Sequence, residues 1–341
     1  MKTSDFDYHL PTESIAQTPI EPRDHSRLLV LDRQSGNMEH RHFYDLPGYL
    51  QEGDVLVFND SRVIPARLYG FIKDTSSKVE LLLLRRLPEG CWETMARPGK
   101  KMKIGTVITL LNSDGQPGEL TAEIIDSRED GLRIVSLSDE KLIDKYGHTP
   151  LPPYIKTPLS RPERYQTIYA RIKGSAAAPT AGLHFTPGLL DELRKKNVSL
   201  AFVTLHIGLD TFQPVREEDP ADHKIHTEYG ELSTETAELL NNARNSGKRV
   251  IPVGTSSMRI VEAASQSGIT FPFYGDISLF IMPGYEFKAA SAMITNFHLP
   301  KSTLVMLVSA FAGRETILNT YKTAMESGYR FYSFGDAMLI I

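Results

Sequence analysis

Five of the ten histidines fall after residue 183: His184, His206, His223, His226 and His298. An imidazole titrates near neutrality, so histidines beside glycine, proline and polar loop residues suit acid–base chemistry or hydrogen bonding to a substrate. The string His223-Lys-Ile-His226-Thr-Glu228 also sets two imidazoles and a carboxylate close together. That donor set suits zinc or iron, although no His-Glu-x-x-His pattern is present. A metal-dependent hydrolase built on His223, His226 and Glu228 is therefore one reading, and a structural role stays open for each histidine. His184 ends a run of small residues, Gly-Ser-Ala-Ala-Ala-Pro-Thr-Ala-Gly-Leu-His. Such a run lets a ligand approach the backbone closely, or merely packs tightly.

Two further strings have the chemistry of anion sites. Val253-Gly-Thr-Ser-Ser-Met-Arg259 reads as strand, turn and helix start, and Thr295-Asn296-Phe-His298-Leu-Pro300-Lys301-Ser-Thr303 repeats the pattern with more polar groups. A helix N-terminus has unpaired N–H groups and the positive end of a dipole, which favour a carboxylate or phosphate. Thr255 or Ser256 could equally just cap its helix. Two junctions of this kind in one chain point to a shared ligand pocket. In Leu205-His206-Ile-Gly208-Leu-Asp210, an exposed Asp210 carboxylate could accept from a guanine-like N–H edge, or cap its own loop.

The elements that must position these groups fall into two sets. From Ser61 to about Leu137, six short apolar runs (62–72, 78–85, 91–97, 106–111, 119–126 and 132–137) alternate with turn-forming strings such as DTSS and NSDGQPG. This pattern predicts a small β-barrel or sandwich. Prolines 150, 152, 153 and 158 then make a stiff connector. Beyond it, helices are predicted at 187–196, 233–246, 256–265, 302–312 and 315–327. Strands are predicted at 199–207, 248–253, 277–281 and 292–296. Alternating strands and helices predict an α/β domain with largely parallel strands. Residues 1–50 read as irregular, followed by a strand at 54–58.

Composition narrows the class. The 341 residues include 38 Lys and Arg against 42 Asp and Glu, a net charge of −4. Nucleic acid, if it is a partner, must be met by a local patch. One candidate is 85–103; the other is 156–173, with Lys156, Arg161, Arg164, Arg171 and Lys173 and two interleaved tyrosines. A single cysteine, Cys91, excludes an intrachain disulfide and fits a reducing compartment. With no apolar leader and no long apolar run, a soluble cytoplasmic protein without a membrane segment is expected. No Gly-x-Gly occurs, so a dinucleotide fingerprint is absent, and Gly99-Lys100 is followed by Lys rather than Ser or Thr, so there is no P-loop.

Taken together, several long strings resemble one family, the S-adenosylmethionine:tRNA ribosyltransferase-isomerases of queuosine biosynthesis. They include FDYHLPTESIAQTPIEPRDHSRLLV (6–30), GDVLVFNDSRVIPARLYG (53–70), YQTIYA (165–170), GSAAAPTAGLHFTP (174–187), LHIGLDTFQPV (205–215), HKIHTE (223–228), GTSSMR (254–259), TNFHLPKSTL (295–304) and YRFYSFGDAMLI (329–340). The resemblance implies an α/β fold: a barrel-like main domain from residues 1–60 and 150–341, with a small all-β barrel inserted at 61–149. It implies S-adenosylmethionine as a consumed ribosyl donor and tRNA carrying 7-aminomethyl-7-deazaguanine as acceptor. The products would be epoxyqueuosine in tRNA, adenine and methionine. It implies no metal, no prosthetic group, no obligatory protein partner, and a monomer. On this reading His226 and Glu228 form the base region, with His184 and His206 as further catalytic candidates. Asp210 would meet the deazaguanine edge. Thr255, Ser256, Arg259, Asn296, Lys301 and Thr303 would hold the donor, and the basic residues of 156–173 would meet tRNA phosphates.

Overall fold

The computed structural model describes residues 1–87, 89–99, 102–128, 131–159, 161–208, 214–225 and 227–341. Six antiparallel strands close into a barrel: Arg67–Ile72, Lys78–Arg86, Trp92–Arg97, Val107–Leu111, Pro117–Ser127 and Arg133–Leu137. They are the six runs expected from the alternation, with one change. The first run, 62–72, is broken in two. Ser61–Val63 pairs in parallel with Ile172–Ser175, and the barrel begins only at Arg67. Pro65 stands at the break, where a residue without an N–H cannot extend a ladder. Inward positions alternate as a pleated strand requires, so Ile108 and Leu110, or Leu120, Ala122 and Ile124, are buried in one core with Leu81, Leu83 and Trp92. The chain returns beside its point of entry: Arg67 and His148 exchange backbone hydrogen bonds of 3.1 and 2.8 Å.

The remaining strands form two open sheets. One has the order Val250–Pro252, Val55–Asn59, Ser199–Leu205, Glu228–Leu232, Phe273–Ile277. Its first three strands are parallel and its last two join antiparallel. The other runs Met293–Asn296, Ala337–Ile340, Arg27–Leu31, Met38–His42, with only the central pair parallel. The sheets meet through a parallel bridge, Val253 to Ile294. Both are therefore mixed, where largely parallel strands are expected. Two of the antiparallel strands, Met38–His42 and Phe273–Ile277, lie at sheet edges and are largely exposed, so they lack the apolar run that marks a buried parallel strand. The strand expected at 277–281 lies instead at Phe273–Ile277, the second of these edge strands. The first fifty residues, expected to be irregular, contain two of the strands.

Helices follow their caps closely. Thr186, Ser233 and Ser302 accept the N–H of Leu189, Thr236 and Val305 at the starts of Pro187–Lys195, Thr234–Asn245 and Thr303–Ala312. Thr255–Ala263 and Arg314–Glu326 follow glycines instead. Among the described residues, no helix is long and apolar enough to cross a membrane.

Candidate active site

The bridge between the sheets brings both suspected junctions to one place. The Gly254 N–H donates to Ile294 O at 2.7 Å, immediately before the helix Thr255–Ala263. Gly254 has φ +89°, a left-handed conformation that glycine adopts without strain. The first intrahelical acceptor is Gly254 O, which takes the N–H of Met258, so the amides of residues 255–257 lie outside the helical ladder. Thr255, Ser256 and Arg259 line a pocket together with Thr295, Asn296 and His298 of the second junction. Adjacent strands that end side by side and turn into separate helices leave such a crevice.

At the base of this pocket Glu228 and Arg259 form a buried ion pair through Oε2 and Nη1. Glu228 Oε1 also accepts from Gly208 N–H at 3.1 Å, and Arg259 Nε donates to Leu279 O at 3.2 Å. Arg259 Nη2 has no hydrogen-bond partner among the described residues. A guanidinium held at two of its nitrogens with a third unsatisfied is a ready donor to a carboxylate.

The opposite wall is a network around Asn296. Its Oδ1 accepts from Thr180 Oγ1 at 3.0 Å, and its Nδ2 donates to His184 Nε2 at 3.0 Å. Arg23 Nη2 also reaches His184 Nε2, at 3.3 Å. Both neighbours are donors, so Nε2 is the acceptor and the proton sits on Nδ1, which donates to Ser26 Oγ at 2.6 Å. Burial, then Arg23 and Arg330, hold the His184 pKa far below its ordinary value. His184 is thus a neutral, satisfied imidazole behind the wall, stacked on Phe43 at 4.9 Å. It orients Asn296 and does not face the pocket.

His298, by contrast, lines the pocket. Its Nε2 lies 2.7 Å from Thr295 Oγ1, and burial pushes its pKa down to about 3, so it too is neutral. The third side of the pocket comes from distant segments: Tyr154 of the proline-rich connector shares a 2.7 Å hydrogen bond with Ser333. His298, named among the candidate histidines and in the second junction, has no assigned role in the expected site, and Thr180, Tyr154 and Ser333 are absent from it. His298 and Thr180 stand in distinctive strings and were within reach of the sequence. Nothing in the sequence joins Tyr154 to Ser333 across 179 positions.

Other expected residues lie elsewhere. His206 is outside the pocket, roughly parallel to Tyr229 at 6.3 Å and pressed against Gly174. Burial lowers its pKa, and its Nδ1 has no hydrogen-bond partner among the described residues. Lys301 forms an ion pair with Asp7 at 2.7 Å, and Thr303 opens its helix off the pocket lining. Asp210 and His226 lie outside the described residues. His223 pairs with Glu217 at 2.9 Å. No group of three His, Cys, Asp or Glu among the described residues is placed to hold a metal ion. In the basic segment Lys156 and Arg161 are exposed. Arg164 pairs with Glu21, Arg171 with buried Asp60 at 2.8 Å, and Lys173 with Asp144 at 2.6 Å.

Comparison with known proteins agrees along the whole chain. Residues 3–340 match the family model described as queuosine biosynthesis protein. A Dehalococcoides mccartyi protein named S-adenosylmethionine:tRNA ribosyltransferase-isomerase is 56% identical over 344 residues, covering 100% of both chains. A Staphylococcus haemolyticus protein of the same name is 52% identical, again covering 100% of both. The crystal structure of a Thermotoga maritima S-adenosylmethionine tRNA ribosyltransferase is 39% identical, covers 99% of this chain and 100% of that one, and superposes with a TM-score of 0.57. A family match that leaves out only the two ends, with relatives more than half identical throughout, establishes that this chain belongs to the queuosine biosynthesis protein family, the S-adenosylmethionine:tRNA ribosyltransferase-isomerases.

Proposed function

We propose that the chain transfers and isomerises the ribosyl moiety of S-adenosylmethionine onto the aminomethyl group of 7-aminomethyl-7-deazaguanine at the wobble position of tRNA. The products are epoxyqueuosine-tRNA, adenine and methionine. The end-to-end identity with relatives of that name carries the reading. The hydrolase alternative finds no support among them.

The chemistry needs a carboxylate anchor, a base, a proton donor and a reader for the deazaguanine. Arg259 Nη2 and the amides at the start of Thr255–Ala263 suit the methionine carboxylate. Asn296 and Thr180 present polar groups to the sugar or adenine, with His184 holding Asn296 in place. The sulfonium acidifies the neighbouring C5′ protons, and His226 with Glu228 remains the proposed region for their removal. Asp210 is the proposed partner of the deazaguanine edge. Lys156, Arg161, Arg164, Arg171 and Lys173 are proposed to face tRNA phosphates. On this reading the enzyme works in the cytoplasm as a monomer, with no prosthetic group or obligatory protein partner.

The deciding experiment is turnover. The protein is mixed with S-adenosylmethionine and tRNA bearing the aminomethyl-deazaguanine, and free adenine and the nucleoside mass are measured. Stoichiometric adenine release with ribosyl transfer is expected; methylated tRNA, or no consumption of the donor, would overturn the reading. Glu228→Gln then separates two tasks. A fall in kcat with loss of the acid limb of the pH profile identifies a base. A raised KM for S-adenosylmethionine with kcat retained shows that Glu228 serves by holding Arg259.

A further inference from the structure

Three arginines from three distant strings converge behind the Asn296 wall: Arg23 of EPRDHSR, Arg164 of RPERY and Arg330 of YRFYSFGD. Arg23 is 5% exposed, yet among the described residues its side-chain hydrogen bonds are only to Gly335 O at 3.4 Å and His184 Nε2 at 3.3 Å. No carboxylate forms an ion pair with it among the described residues. Arg23 Nε, Arg164 Nε and Arg330 Nη2 are buried without hydrogen-bond partners among the described residues. Two carboxylates face the group. Glu21 pairs with Arg164. Asp336 accepts the backbone N–H groups of Arg27 and Arg330 at 2.9 and 2.8 Å, and lies 3.8 Å from Arg330 Nη2. Three guanidiniums against two carboxylates leave one positive charge over, because His184 is neutral. Burial and then Arg330 lower the Arg23 pKa to about 9, so it stays charged at neutral pH.

A buried, unpaired guanidinium beside two others is costly unless an anion completes the set. The Arg164 and Arg330 side chains are 26% and 34% exposed, so the cluster reaches solvent through them. We infer that Arg23, Arg164 and Arg330 form a seat for one oxyanion, and that its occupant is a single backbone phosphate of the tRNA substrate. The seat extends the basic surface at Arg164 inward, towards the pocket wall. This inference rests on the proposed tRNA reaction.

The test measures tRNA affinity against salt concentration for the wild type, Arg164→Gln, Arg330→Gln and the double variant. Arg23→Gln is a poorer probe because a buried substitution can unfold the chain, so melting curves accompany every variant. One lost phosphate contact lowers the slope of log K against log salt by about 0.7–0.9. Each single variant is expected to show that drop, and the double variant no more than one such drop, because all three arginines hold the same phosphate. A double drop would overturn the shared seat. Unchanged slopes with intact melting curves, or lowered melting with unchanged slopes, would overturn the inference and leave an arginine cluster that only supports the fold. S-adenosylmethionine binding without tRNA is the second arm; a loss there would assign the seat to the donor carboxylate and overturn the tRNA assignment. Adenine release by the wild type tests the reaction itself, so failure of the seat and failure of the function are told apart.

Discussion

Inside the six-stranded barrel the buried side chains are Leu68, Leu81, Leu83, Ile108, Leu110 and their apolar neighbours. Apart from tyrosines, Thr94 is the one buried polar residue between positions 62 and 166 among the described residues. The α/β part buries Arg23, Asp54, Asp60, His184, Glu228, Arg259, Glu262, His298 and Asp336. Most of these are matched by designated partners. Glu262, for example, accepts three backbone N–H groups at 2.7, 3.0 and 3.0 Å, and Asp60 takes Thr204 and Arg171. A packed apolar barrel needs only volume and pattern. A buried polar network needs every member, and it is where chemistry is done. Among the buried groups without a hydrogen-bond partner among the described residues are Arg259 Nη2 in the pocket and Arg23 Nε, Arg164 Nε and Arg330 Nη2 in the arginine cluster, the donors on which the proposed ligand contacts rest.

The comparison can be broken by substitution. The largest effect is expected for Arg259→Ala, which leaves the Glu228 carboxylate buried without its guanidinium. A loss of about 3–5 kcal/mol in denaturant unfolding is expected, together with loss of S-adenosylmethionine binding by calorimetry. Unaltered stability would show that the pair is loosely coupled to the fold. Leu110→Ala in the barrel should cost about 2–5 kcal/mol through the cavity it leaves. Adenine release per folded molecule should stay at the wild-type level. A specific loss of turnover there would mean that the barrel takes part in the chemistry.

Acid gives a smaller and graded effect. His184 and His298 have folded pKa values below the ordinary value, so the unfolded chain binds more protons between about pH 6.5 and the folded values. The stability they confer is complete above pH 6.5 and is lost as pH falls, by about 1.4 kcal/mol per unit for each histidine. Hydrogen exchange at pH 5.5 should therefore show amides near Asn296 losing protection before those of the barrel. Equal loss in both regions would remove the buried histidines as the cause.

The two regions also differ in legibility. All six barrel strands were readable, because each pairs mainly with near neighbours and alternates side chains at period two. The capped helices were readable from Thr186, Ser233 and Ser302. At the site, Thr255, Ser256, Arg259, Glu228 and Asn296 do line one pocket, whereas His184, His206, Lys301 and Thr303 do not. Residue type signalled that these positions were polar and chemically able; it did not say which way each would face. His184 shows why. Its string suggested a ligand contact, but Arg23, Ser26 and Asn296 arrive from remote segments and use both ring nitrogens.

The amino-acid sequence by itself determined the alternating barrel strands, the helix starts and the family strings, all of which depend on residues near one another or on motif identity. Only the tertiary structure decided that Val253 meets Ile294, that Glu228 grips Arg259, and that Tyr154 meets Ser333. Those contacts join segments far apart in the chain. They are set by which sheet edges and buried charges find partners, a condition on the whole fold that no local pattern encodes.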